Sequence, residues 1–298
     1  MRFAFIDAEK ADHQISTLCR VLKVRRSGYY AWLEREESDR AVEDRRLAVE
    51  IRALFAEMKK RYGSPRIQRE LRDRGTRVCR HRIARLMREQ KLRARPRRRF
   101  VKTTDSKHNQ PTPDNVLARN FTAPAPDRVW VGDVTYISTR EGWLYLAVLL
   151  DLYSRRVVGW ATSEHNDEAV TLAALAMALD QRQPAPGLVH HTDRGTTYAS
   201  CTYQDTLRQY GIVPSMSRKG NCWDNAVAES FFSTLDMESG TDETFPSRAA
   251  AHRSLAEYIL GFYNPTRLHS TLGYVSPMEF ERRGRREHHR PTRMSRAA

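Results

Sequence analysis

Residues 128–164 read RVWVGDVTYISTREGWLYLAVLLDLYSRRVVGWATSE, three apolar runs joined by short polar turns. Runs of this length, rich in Val, Tyr, Trp and Leu, predict three consecutive β-strands. Helical and strand patterns alternate downstream, with helices predicted over 166–180, 199–210, 224–238 and 247–262 and strands over 187–193 and 212–216. This order predicts an α/β fold in which helices cover the faces of one mixed sheet.

The chain before residue 103 shows helical patterns only. Two short helices are predicted over 14–34, and longer ones over 41–60, over 64–75 with Ser64 as its N-cap, and over 79–90. In the 79–90 helix the apolar residues point inward and the arginines outward, as a helix that reads a DNA major groove requires. We therefore expect a helix-turn-helix-type DNA-binding domain over 41–102. A helical segment over 1–40 precedes it, and for its residues 14–34 a helix-turn-helix unit and a plain helical hairpin are equal alternatives.

The net charge of +15 over 298 residues is unevenly distributed. Residues 77–102 hold 12 basic side chains and one acidic one, whereas residues 103–280 hold 14 basic and 20 acidic ones. Arginines at this density favour binding to DNA phosphates, with a solvated basic surface as the alternative. The predicted DNA-contacting residues of this stretch are Arg80, Arg82, Arg85, Arg88, Arg95, Arg97, Arg98 and Arg99.

The composition excludes several classes of protein. No run of 18 apolar residues exists, so no membrane-spanning helix is predicted. The four cysteines are scattered without a C-x-x-C pair, which argues against a disulfide scaffold and a cysteine-rich zinc site. We expect a cytoplasmic protein with a polar linker over 103–126 and a basic, disordered tail over 283–298.

Three carboxylates occupy unusual places. Asp133 lies inside the first predicted strand, Asp193 ends a later strand, and Glu229 lies on a helix among small and aromatic residues. Between them lie 59 and 35 residues, respectively. Carboxylate oxygens hold Mg²⁺, and two such ions can activate an attacking oxygen and stabilise a leaving one in phosphodiester cleavage. A single Asp at a strand end is more often a turn residue or cap, but the trio favours a metal-dependent catalytic site.

Four motifs resemble one known family: W-V-G-D-V-T-Y (130–136), H-T-D-R-G-T-x-Y (191–198), S-R-x-G-N-C-W-D-N-A-x-x-E-S-F-F (217–232) and Y-N-x-x-R-x-H-x-x-L-G-Y-x-S-P-x-x-F (263–280). They are similar to the second-frame transposases of the IS3 family of bacterial insertion sequences, over nearly the whole chain. The resemblance implies a ribonuclease-H-like catalytic core over 127–282, with Asp133, Asp193 and Glu229 as ligands of two Mg²⁺ ions, or of Mn²⁺. It also implies DNA cleavage and strand transfer at the ends of the element. The implied partners are a first-frame protein of the same element, fused or separate, and further copies of the chain on DNA.

The chain departs from the family pattern at Asp236, where a basic residue that could hold terminal DNA is usual. Arg218 and Lys219 are the residues that could take over this role. Two alternatives to a transposase stay open: a DNA-binding regulator without catalysis, and a ribonuclease-H-like nuclease that cleaves DNA without joining it.

Several further polar residues have two interpretations. His190 and His191 are expected to pack and to hydrogen-bond, and the alternative is that His191 positions Asp193 or the scissile phosphate. Asp224 and Asn225 are expected to cap the helix that carries Glu229. DNA contact is predicted for Tyr263, Asn264, Arg267 and His269, with core packing an equal alternative for Tyr263.

Overall fold

The computed structural model of the chain describes residues 1–95, 112–218, 222–241 and 243–288. The helices are α1 (Arg2–Glu9), α2 (Ile15–Val21), α3 (Arg26–Leu33), α4 (Asp39–Glu57), α5 (Ser64–Asp73), α6 (Arg80–Glu89), α7 (Glu168–Arg182), α8 (Cys201–Gln209), α9 (Ala226–Ser239), α10 (Arg248–Ala256) and α11 (Pro277–His288). The strands are β1 (Val129–Thr139), β2 (Gly142–Asp151), β3 (Val157–Ser163), β4 (Val189–Thr192) and β5 (Val213–Met216). Short 3₁₀ segments lie at Cys222–Asn225 and Ser270–Leu272, and a π-helix lies at Glu257–Tyr263.

The five strands form one mixed sheet in the order β3-β2-β1-β4-β5. β1, β2 and β3 make an antiparallel meander, and β4 and β5 join it parallel to β1. This arrangement confirms the predicted α/β class and the predicted meander. β2 is buried continuously from Leu146 to Leu150, because helices cover both faces of the sheet.

Side chains that alternate along the strands supply two apolar clusters, one on each face. Trp130 and Leu149 point to the face covered by α7 and α8. Val131 and Val148 point to the face covered by α9 and α10. β1 is therefore the middle strand of the sheet, with β2 on one side and β4 on the other.

The helical region contains α4, α5 and α6 close to where the sequence predicts them, and its apolar residues join the α9 face of the core. The ring of Tyr62 lies 6.0 Å from that of Phe262, and the Tyr62 hydroxyl accepts a hydrogen bond of 2.9 Å from the N–H of Leu268. The helical region and the sheet therefore share one apolar interface. Helices α1, α2 and α3 bury a separate small cluster around Ile6 and Tyr29.

Several local expectations are corrected. Helix α1 is not predicted by the sequence, and α5 begins at Ser64 itself, so that Gly63 and not Ser64 takes the N-cap position. The helix predicted over 247–262 is divided into α10 and the π-helix. The first part of the predicted tail is helical, because α11 continues to residue 288. Before the tail, Glu281 of the same helix accepts hydrogen bonds of 2.9 and 3.0 Å from Arg182. Residues 289–298 lie outside the described part of the chain.

Part of the predicted linker packs against the sheet. Leu117 is 6% exposed, and its N–H donates to the hydroxyl of Ser215 on β5 at 3.2 Å. Residues 103–111 of the same segment lie outside the described ranges. In the ranges that are described, no helix is long and apolar enough to cross a membrane.

Candidate active site

Asp133 lies in the middle of β1, the central strand of the sheet. Its carboxylate is half-buried and accepts a hydrogen bond of 2.8 Å from the N–H of Val134. β4 runs parallel to β1 with Thr192 opposite Gly132, so Asp193, the residue after β4, lies beside Asp133 at the carboxyl end of β4. Two of the three predicted carboxylates are therefore neighbours because their strands are paired in this register.

Glu229 approaches the same end of the sheet from the first turn of α9, a helix that packs against β1. Its charge acts on Asp133. The pKa of Asp133 is raised well above its ordinary value by burial first, then by the charge of Asp193 and, less strongly, by the charge of Glu229. The three carboxylates thus form one electrostatic cluster, in which Asp133 and Asp193 are the tighter pair.

The donors of this cluster fit a divalent cation, because carboxylate oxygens are the ligands that Mg²⁺ and Mn²⁺ prefer. A bound cation would also relieve the repulsion that raises the pKa of Asp133. The three carboxylates do not, however, converge on one point. Among the described residues, no three His, Cys, Asp or Glu side chains converge closely enough to hold one metal ion. The role of the three carboxylates as metal ligands therefore stays a prediction.

His190 and His191 lie side by side on β4, and both are fully buried. The Nε2 atom of His190 lies 2.8 Å from the hydroxyl of Tyr203, and His191 bonds the hydroxyls of Ser215 and Ser217 at 2.9 and 3.2 Å. Burial lowers the pKa of His190 to about 3 and that of His191 to about 4, so both are neutral at pH 7. Packing with hydrogen bonding is the interpretation that the structure supports, since the buried His191 ring cannot reach a phosphate.

Asp224 and Asn225 precede α9, but the predicted cap is wrong. Asn225 takes the N-cap position without a hydrogen bond from its side chain to the helix. Its amide instead donates to the carbonyl of Gly132 at 3.4 Å and hydrogen-bonds the Asp133 carboxylate, which lowers the pKa of Asp133. Asp224 is fully buried and holds arginines. Sequence reasoning missed both roles because Asp and Asn before a helix are also the usual capping residues.

The arginines of α6 do not form one uniform basic surface. Arg80 and Arg88 are exposed, and the prediction that they contact DNA stays open. Arg82 and Arg85 pair with Asp44 of α4 at 2.7 and 2.5 Å. Binding of a phosphate to these two side chains would have to replace an ion pair that already exists.

The other predicted DNA contacts are scattered. Arg95 lies at the carboxyl end of α9, and Arg218 follows β5 and pairs with Asp224. Asp236, the departure from the family pattern, is half-buried on α9 and accepts a hydrogen bond of 2.9 Å from the hydroxyl of Thr241. The remaining predicted contacts lie outside the described residues: Arg97, Arg98, Arg99 and Lys219.

The motif at 263–269 serves packing. Tyr263, Asn264 and Arg267 are buried, so the predicted DNA contact is wrong for them and core packing is correct for Tyr263. The side chain of Asn264 bonds the backbone of β3, and Arg267 bonds both carboxylate oxygens of Glu238 at 2.7 and 2.8 Å. His269 is half-buried beside them.

A five-stranded sheet in this order, with one carboxylate on its middle strand, one directly after the neighbouring parallel strand and one on the helix that packs against the middle strand, is typical of a ribonuclease-H-like core of the integrase type. Family models described as an integrase core domain match residues 123–222 and 210–277, and one described as an HTH-like domain matches residues 42–100. An uncharacterized 31 kDa protein of insertion element IS600 from Shigella sonnei is 45% identical over 263 residues, which are 88% of this chain and 97% of that protein.

The transposase InsF of insertion sequence IS3A from Escherichia coli (strain K12) is 40% identical over 283 residues, 94% of this chain and 98% of that protein. Among solved structures, the catalytic core domain of HTLV-2 integrase in complex with magnesium is 17% identical, with a TM-score of 0.42 over 53% of this chain and 99% of that chain. The chain belongs to the IS3 family of transposases. It is a polynucleotidyl transferase with an integrase core and a DNA-binding region, and a core of this type implies dependence on a divalent metal ion.

Proposed function

We propose that the protein cleaves DNA at the ends of an insertion sequence and joins the freed ends to target DNA, with Asp133, Asp193 and Glu229 as ligands of two Mg²⁺ ions. The main support is the pairing of β4 with β1, which places Asp193 beside Asp133, together with Glu229 in the first turn of the helix that packs against β1. Because carboxylates gathered in this way repel one another unless a cation lies among them, such a cluster is a strong candidate for a functional site.

The residues of the chain would orient the reacting groups. N–H groups of Val134 and Gly195 each bond one carboxylate oxygen, at 2.8 Å on Asp133 and 2.9 Å on Asp193, which fixes the direction of these two side chains. Asn225 adds a further hydrogen bond to Asp133. When bound, divalent cations supply the Lewis acidity that activates a water or a 3′-hydroxyl and stabilises the leaving oxygen.

We further infer a division of labour along the chain. Residues 41–102 would bind DNA and residues 127–282 would carry out the chemistry, which the family matches at 42–100, 123–222 and 210–277 support. The other units of this proposal are the helical segment 1–40, the connection 103–126 and the basic tail 283–298. A first-frame protein of the same element and further copies of the chain would join it on DNA. The protein would work in the cytoplasm, at the nucleoid when bound to DNA.

The test is strand transfer of a pre-cut element end by the full chain in Mg²⁺, with the first-frame protein present. Asp193→Asn keeps the size of the side chain and removes its charge, so we expect the rate to fall by more than about 100-fold with unchanged thermal unfolding. The matched control is Asp205→Asn, since Asp205 lies on α8 and pairs with the exposed Arg208. This control should keep the wild-type rate.

Three results would contradict the proposal. Full activity of Asp193→Asn would remove that residue from the catalytic site. Cleavage by the wild type without any joined product would favour a nuclease. Salt-sensitive DNA binding without metal-stimulated cleavage would favour a regulator, the alternative that Asp236 suggests.

A further inference from the structure

Asp224 holds two arginines together next to the carboxylate cluster. Its carboxylate has no exposed surface and accepts hydrogen bonds from Nε of Arg119 at 2.7 Å and from Nε and Nη2 of Arg218 at 2.9 and 2.8 Å. These hydrogen bonds, those from Arg218 first, hold the pKa of Asp224 well below its ordinary value, so the carboxylate is ionised at neutral pH. One negative charge therefore faces two positive charges, and the group as a whole is positive.

The two guanidinium groups are close neighbours and both reach solvent. Arg119 and Arg218 bond the same oxygen, Oδ1 of Asp224, yet their side chains are 44% and 56% exposed. A single carboxylate cannot neutralise both cations, and the planar fork of arginine matches the oxygens of a phosphate group. The pair is therefore arranged to receive a second anion from the solvent side.

Arg119 is fixed in position by the segment around it. The neighbouring Leu117 is buried and bonded to Ser215 on β5, and the amide of Asn115 donates to Oδ2 of Asp224 at 2.9 Å. An anion that binds Arg119 does not have to order a free chain first, and this lowers the entropic cost of binding.

The arginine pair lies at the same end of the sheet as the carboxylates. Ser217, the residue before Arg218, donates its backbone N–H at 2.9 Å to the carbonyl of the residue before Asp193. Asn225, which bonds the carboxylate of Asp133, directly follows the aspartate that joins the two arginines. The arginine pair therefore lies next to the carboxylate cluster.

Resting on the proposed function, we propose that Arg119 and Arg218 clamp one backbone phosphate of the DNA strand whose end reacts. Three carboxylates repel the DNA backbone, and a positive clamp next to them offsets this repulsion where the strand must come closest. The clamp assigns a DNA-binding role to Arg119, a residue of the segment between the two family domains. Asp224 acts as the positioning residue that sets the distance between the two guanidinium groups.

The test measures binding of the full chain to an end-labelled duplex that carries the terminal sequence bordering the gene, by fluorescence anisotropy in EDTA at several salt concentrations. Arg119→Gln and Arg218→Gln should each weaken binding about tenfold. In the double variant the slope of log K against log [salt] should fall by about 1, the value for one phosphate contact. A fall of about 2 would show two separate contacts and would overturn the clamp, as would unchanged affinity in both single variants.

Three further variants separate the clamp from a general loss of charge, from misfolding and from catalysis. Arg208→Gln removes an exposed, ion-paired arginine of α8 and should keep the wild-type affinity and slope. Should Arg119→Gln fail to fold, Arg119→Lys carries the test: the slope should persist while affinity falls several-fold, and unchanged affinity would refute the role of the fork. Asp193→Asn should not weaken binding, so a failed catalytic assignment and a missing clamp give different results.

Discussion

Replacing Glu238 with Gln should destabilise the protein by about 3–5 kcal/mol, because it leaves a buried arginine without its counterion. The side chains of Glu238 and Arg267 are each 5% exposed, and two hydrogen bonds of 2.7 and 2.8 Å join them. The hydroxyl of Tyr258 and a guanidinium nitrogen of Arg66 also donate to the Glu238 carboxylate, at 3.0 and 3.2 Å. Gln keeps the shape of the side chain but cannot balance this positive charge.

The magnitude follows from burial. An exposed ion pair contributes at most about 1 kcal/mol, whereas removal of one partner from a buried pair costs several times more. For a chain of 298 residues, a loss of about 3–5 kcal/mol lowers the unfolding temperature by roughly 5–8 °C. Urea denaturation followed by far-UV circular dichroism measures the free energy, and a thermal scan measures the temperature.

Glu257→Gln is the matched control for this experiment. Glu257 also forms an ion pair with the helical region, through Lys59, but its side chain is 66% exposed. We expect its replacement to cost less than about 1 kcal/mol. Equal losses in Glu238→Gln and Glu257→Gln would refute the reasoning from burial.

Two further predictions concern charge. Asp236→Lys should tighten binding to DNA ends and steepen the salt dependence by about 1, since it restores a positive charge where the family pattern has one; unchanged affinity in the anisotropy assay would contradict this. Stability should fall as the pH drops below about 6.5, because His190 and His191, with pKa values lowered to about 3 and about 4, stay neutral in the folded chain while the unfolded chain takes up protons. His190→Gln should reduce the dependence of the unfolding free energy on pH by about 1.4 kcal/mol per pH unit between roughly pH 4 and 6. Urea denaturation at several pH values in that range measures this dependence, and an unchanged dependence would contradict the prediction.

Local pattern was sufficient to predict the strands of the sheet and to single out Asp133. The three apolar runs of the meander are each long enough to be assigned as strands, and Asp133 stands out because a charge inside such a run is unfavourable unless it serves a site. Parallel pairing of β4 with β1 then places Asp193 next to Asp133. The strands and Asp133 are read from the local sequence pattern, whereas the neighbouring position of Asp193 requires the strand pairing that the structure shows.

Pairing between distant residues could not be predicted in this way. Arginine is usually a surface residue, and Arg267 is buried because Glu238, 29 residues earlier in the chain, lies opposite it and balances its charge. Arg119 lies in a segment whose prolines and polar residues indicate a linker, and its partner Asp224 is 105 residues away. No periodicity connects such residues, so their roles become visible only when the chain is folded.

Tyr62 and Phe262 bury their rings against each other, across the surface where the helices of the HTH-like domain meet the sheet. Two domains that share such an interface cannot be exchanged between related elements one at a time, because an unmatched partner would leave apolar surface exposed on both domains. Mosaic transposases within the family should therefore inherit both sides of this interface from one parent. Breakpoints that fall between the two modules should be rare among mosaics that still move.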